Sequence, residues 1–122
     1  MSNLEIARVA ENWESVHGQV SYRQMDCSHF VVAVLKQAAD PNFPYMVAND
    51  FRNSHLFRKV DMPQRGDIIQ WTRSPNGHVG IVLDPDIGLF IGSQSSTGVD
   101  TTRYASGYWA ERGTITFLRY QG

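Results

Sequence analysis

Apolar residues recur at three- and four-residue spacing in two stretches of the N-terminal third. The stronger one runs from Cys27 through Phe30, Val31, Val34 and Leu35 to Ala38, which is one buried stripe of a helix. Asp26 stands directly before it as an N-cap, and Pro41 follows shortly after its end. The other stretch places Ile6, Val9, Ala10, Trp13 and Val16 on one face, behind the capping-box pair Ser2 and Glu5. It predicts a helix over 3–16 that ends near Gly18. A short polar link, 19–25, joins the two, with Tyr22 and Gln24 positioned to lean over the second helix start.

Between Asp40 and Met62 the pattern is irregular and interrupted by Pro41 and Pro44, so a loop with one short helix over 47–53 is expected. After Arg65 the period changes. Asp67–Thr72, His78–Leu83, Leu89–Gln94, Val99–Thr102 and Thr114–Arg119 are short runs rich in β-branched and aromatic residues. Pro75-Asn76-Gly77, Asp84-Pro85-Asp86, Thr97-Gly98 and Gly113 punctuate them as turns. Tyr104–Arg112 reads as an irregular crossing. Helices first and strands afterwards define an α+β class, an antiparallel sheet with helices packed on one face.

Length changes the picture little: 122 residues make one domain over 1–122, able to bury a core without disulfides. A net charge of -1 offers no electrostatic case for nucleic acid or an anionic membrane. A single cysteine excludes a disulfide framework and the usual thiolate zinc site. No signal peptide and no membrane span are visible, so synthesis in a cytoplasm is expected.

That one cysteine carries the candidate chemistry. In the first turn of a helix a thiol meets unpaired N–H groups and the positive end of the macrodipole. There, cysteine pKa values fall to roughly 3.5–7.5. The competing reading is a small buried residue with no chemistry. A nucleophilic cysteine needs a base, most often histidine. His29 lies two residues on and points elsewhere; His17 and His55 are expected to be solvated. His78 opens a strand after Asn76-Gly77, with Gly80 on its face, where a missing side chain would let the cysteine helix approach. A hairpin centred on Asp86 opposes Val82 to Phe90 and His78 to Gln94, so Gln94 can orient the imidazole. A bulge would break that parity.

Several segments then resemble the NlpC family of papain-like cell-wall peptidases. They are Asp26-Cys27-Ser28, Arg65-Gly66-Asp67-Ile68-Ile69, Gly77-His78-Val79-Gly80-Ile81-Val82, Phe90-Ile91 and Ser95–Val99. Order and spacing match from about residue 20 to the end, where Tyr108-Trp109 and Leu118-Arg119-Tyr120 also look familial. The resemblance implies a circularly rearranged papain-like fold, with N-terminal helices on a five- to six-stranded antiparallel sheet. It also implies hydrolysis of amide bonds in peptidoglycan stem peptides, usually between γ-D-glutamate and diaminopimelate or lysine. Cys27 matches the nucleophile and His78 the base. Asp26 and Ser28 match positions beside the substrate, and Tyr22 the tyrosine near the oxyanion. Three positions depart from the pattern. His29 replaces the usual glycine, the link from Tyr22 to Cys27 is shortened, and the usual third residue falls on Gly92, leaving its role to Gln94.

The expected enzyme is a cysteine peptidase or amidase that needs no metal or cofactor. Alternatives are acyl transfer or deamidation on the same frame, and a binding module with an inert cysteine. Arg65-Gly66-Asp67 reads as a turn, not as an adhesion tripeptide. Asp84 and Asp86 lack the further ligands of a calcium loop. Small stand-alone relatives include injected amidase toxins and phage-associated lysins. A toxin would act in periplasm or wall after injection or non-classical export, and would imply an immunity protein as partner.

Overall fold

Helix formation at the cysteine begins with Asp26, whose carboxylate accepts from the His29 amide at 3.0 Å. The computed structural model describes residues 2–122. In it, helix α3 spans Cys27–Ala38 and buries Cys27, Phe30, Val31, Val34 and Leu35, the expected stripe. The first helix is broken: α1 is Ser2–Glu11 and α2 is Trp13–His17, with the interruption at Asn12. Ile6, Val9, Ala10 and Trp13 are buried as expected, whereas Val16, beyond the break, is two-thirds exposed. The Ser2 side chain of the expected capping box lies outside the described residues. Glu5 is instead paired with Arg8 one turn on.

Six strands form an antiparallel sheet: β1 (Phe57–Val60), β2 (Ile68–Thr72), β3 (His78–Asp84), β4 (Leu89–Gln94), β5 (Gly98–Arg103) and β6 (Thr114–Tyr120). Their order across the sheet is β1-β6-β2-β3-β4-β5. Five match the sequence expectation. β1 was expected to be loop, because Phe57-Arg58-Lys59-Val60 has no alternating apolar run; it exists because β6 offers an edge, with Phe57 opposite Tyr120. A 3-10 helix, Ala48–Asn53, occupies the short helical segment expected there.

Alternation along β2 and β3 separates two apolar layers. Ile68, Val79, Ile81 and Leu83 join α1 and α3 in the larger core. Ile69, Trp71, Val82 and Phe90 face the other way, where Tyr104 and Trp109 of the crossing cover them. That crossing contains a short helix, α4 (Gly107–Ala110), and the Trp71 indole donates to the Trp109 carbonyl at 2.7 Å. The sheet is therefore packed on both faces, not only on the helical one.

Two polar ties hold the frame. Asp67, fully buried, accepts from Arg119 at 2.8 and 2.7 Å, from Asn3 at 2.9 Å and from the Gln64 amide at 2.6 Å. It thereby joins α1, the turn before β2 and β6. Gly66 in that turn has φ +94°, and a Cβ there would lie 1.9 Å from the Asn3 carbonyl oxygen, so only glycine fits. On the far side, Val20 is hydrogen-bonded to Val99, and Ser93 donates to the Met25 carbonyl. These bonds lay the 19–25 link across β4 and β5 and deliver Asp26 to its position.

Candidate active site

The helix start is a closed polar cluster. Besides the His29 amide, Asp26 accepts from Ser28 Oγ at 3.1 Å and meets His29 Nδ1 at 2.7 Å. Burial alone would raise the Asp26 pKa, but the His29 amide and imidazole, with the Ser28 hydroxyl, outweigh it and lower it. Ser28 Oγ is 2.7 Å from the Tyr45 hydroxyl, and the His29 ring stacks on Tyr45 with centroids 4.4 Å apart. Histidine in place of glycine at 29 thus pins the 40–47 loop over the helix tip and builds one wall of the site.

Cys27 is 6% exposed and opens onto a cavity of about 220 Å³ shared with Tyr22, Asp26, Ser28, Tyr45 and Asn49. Its thiol is not the low-pKa group expected from helix position. Burial, the largest influence, raises its pKa, and the Asp26 carboxylate adds to that; amides of Val79, Ser28 and Cys27 itself only partly oppose it. The amide contribution that the helix end was expected to make is present. Desolvation exceeds it because α3 is buried from its first residue.

His78 begins β3 and is 5% exposed. Gly77 makes the tight approach that sets it there, since a Cβ would lie 2.1 Å from Asn49 Oδ1 and 2.4 Å from the Trp71 carbonyl oxygen. The imidazole sits in the aromatic layer, with centroids 4.5 Å from Trp109 and 5.4 Å from Trp71. Burial first and the Arg112 charge second push its pKa down to about 4, against an opposing pull from Gln94. At neutral pH both thiol and imidazole are therefore uncharged, and no hydrogen bond joins them. The Val79 amide, next to His78, is what reaches the sulfur. Gly80 does share the His78 face, but it makes room for Phe90, whose ring would lie 2.7 Å from an added Cβ. The expectation that it admits α3 is corrected: α3 packs on the opposite face, against Val79 and Ile81.

His78 lines a second cavity of about 680 Å³ with Gln94, Thr97, Asp100, Trp109 and Arg112. Tyr22, Asn76 and Gly77 belong to both cavities and form the wall between them. The β3–β4 pairing opposes Val82 to Phe90 and Ile81 to Ile91, as expected, although a bulge near the loop pairs Asp84 with Leu89. Continued, that register brings Gln94 opposite His78. Gln94 Nε2 donates to the Asp100 carbonyl at 3.2 Å, while its Oε1 and the His78 Nε2 are both enclosed without a partner. The same Oε1 lies where a side chain on residue 92 would begin, 2.7 Å from an added Cβ. Gln94 thus fills the space left by Gly92.

Tyr22 is about one-third exposed; burial first, then the neighbouring Cys27 sulfur and Asp26 carboxylate, raises its pKa and keeps the phenol protonated. Gln24 does not reach the site and instead caps its own turn through Ser21. Sequence reasoning missed Tyr45, Trp109 and Arg112. Tyr108-Trp109 was a familial signal for the second, whereas nothing local marks Tyr45 or Arg112.

A helix that presents cysteine at its tip to the first residues of an antiparallel strand is the papain-like α+β architecture. The chain belongs to the NlpC/P60 family, whose model matches residues 12–118. That family is one of cell-wall cysteine peptidases and amidases. No curated protein matches the chain.

Proposed function

We propose that the protein is a cysteine peptidase or amidase that hydrolyses an amide bond in peptidoglycan stem peptides, between γ-D-glutamate and the diamino acid. The observation that supports this reading is the pair of adjoining cavities, one opening on Cys27 and one on His78, which share Tyr22, Asn76 and Gly77 in their walls. An extended peptide lying across that divide exposes its amide to both groups at once.

The steps use groups of this chain alone. Cys27 Sγ attacks the amide carbon as its proton passes to His78, since no ion pair exists beforehand. The oxyanion meets the Cys27 N–H, one of the free amides of the first helical turn, and the Tyr22 hydroxyl. Collapse breaks the C–N bond, and His78 hands its proton to the leaving amine. Water then adds to the thioester with His78 as base, and Cys27 leaves as the thiol. Gln94 Oε1, unpaired at rest like the His78 Nε2, is the acceptor available to the imidazole when it takes up the proton.

Incubating purified muropeptides with the protein and identifying products by mass spectrometry tests the reading. Cys27→Ala and His78→Ala should each lower turnover at least about a thousandfold. Undiminished turnover in either variant overturns the assignment. In this reading the protein works where its substrate is, in the periplasm or cell wall.

A further inference from the structure

We propose that Arg112 anchors a carboxylate on the leaving-amine side of the substrate, making it the specificity-determining residue of the larger cavity. This rests on the hydrolase reading above. The acyl half of a substrate stays on Cys27 and the released amine is the half that His78 protonates. That half therefore occupies the 680 Å³ cavity on the His78 side of the divide.

Among the described residues lining that cavity, Arg112 is the only lysine or arginine and Asp100 the only carboxylate. Arg112 takes no part in the ion pairs of the described residues. Its Nη2 donates to the Asn76 carbonyl at 3.3 Å, a long bond, and its Nη1 is enclosed without a partner. A guanidinium offers five donors in a fork that matches a carboxylate, and leaving it under-paired beside a polar cavity is costly unless something else completes it. Of the five enclosed, unpartnered polar side-chain atoms among the described residues, Arg112 Nη1 is the one cationic donor on this cavity wall, and no group of the chain pairs with it.

An anion here also has a consequence for catalysis. The Arg112 charge is one of the influences that hold His78 below its ordinary pKa. A substrate carboxylate paired with Arg112 cancels that charge and raises the basicity of the imidazole. Substrates bearing the carboxylate are thus favoured twice, in binding and in proton transfer.

The test uses the full chain carrying Cys27→Ala, so that binding is read without turnover. Two peptides are titrated by NMR: L-alanyl-γ-D-glutamyl-meso-diaminopimelate, and the same tripeptide with both diaminopimelate carboxylates converted to carboxamides. The acid should bind at least about tenfold more tightly, and Arg112→Gln should abolish the difference. The His78 titration should move upward on binding the acid and stay in place with the diamide. Equal affinities, a preference that survives Arg112→Gln, or no binding of either peptide would each overturn the proposal. Should Arg112→Gln fail to fold, Arg112→Lys should retain a reduced preference, and an unreduced one counts against the proposal. Turnover by the unmutated protein separates the two readings: cleavage of acid and diamide at equal rates sinks the anion anchor and leaves the hydrolase intact. Preference without cleavage does the reverse.

Discussion

Gln94 stands beside Gly92, one of the positions at which the chain departs from the pattern of the family. A third group normally arrives on residue 92, yet here 92 is glycine, and the Gln94 amide folds back over it with Oε1 in the space a side chain would take. On the proposal that Gln94 orients the imidazole, Gln94→Ala should lower kcat by roughly ten- to a hundredfold, with little change in KM. Gly92→His alone forces its Cβ against Oε1 and should also impair the enzyme. The double variant Gly92→His/Gln94→Ala clears that collision, so its kcat should exceed that of either single variant. Steady-state kinetics on a defined tripeptide decides; a Gln94→Ala variant as fast as the parent would remove Gln94 from the mechanism.

Among the elements, the most consequential tie is the buried Asp67 carboxylate, where α1, the turn before β2 and strand β6 meet. Arg119 is its only cationic partner among the described residues and is itself mostly covered. Arg119→Ala would leave a buried carboxylate whose charge nothing balances, which costs about 3–5 kcal/mol in comparable cases. Urea denaturation should show a lower midpoint, and a loss under about 1 kcal/mol would mean that solvent reaches Asp67 after the change. Activity of the folded fraction should persist, because Asp67 precedes β2 at the end away from Trp71, the residue paired with His78, and lines neither cavity. At this scale the sequence was legible wherever an element buries one face: α3 and five strands follow from periodicity. Strand β1 and the break at Asn12 do not, because an edge strand borrows its stability from β6 and a short helix from the core beneath Trp13.

For the molecule as a whole, the aromatic layer on the face away from α3 ties stability to pH. An imidazole takes a proton near pH 6.5 in the unfolded chain but only at about 4 when His78 is folded among Trp71, Phe90 and Trp109. Between those values the unfolded chain binds more protons, so stability falls as pH drops from 6.5 towards 4, by roughly 3 kcal/mol at most, and this contribution is constant above 6.5. Thermal unfolding from pH 7 to 4 should show this slope, and His78→Gln should flatten it; an unchanged slope would assign it to carboxylates instead. By itself the sequence determined the helix that carries Cys27, its cap, the strand that carries His78 and the register that opposes Gln94 to it. Each of these depends on neighbours a few residues away or on a two-residue period. Only the tertiary structure decided that the thiol is protonated at rest, that Gly80 serves Phe90 and not α3, and that Tyr45, Trp109 and Arg112 line the two cavities. Those outcomes turn on desolvation and on contacts between segments remote in the chain, and no local pattern of residues encodes either.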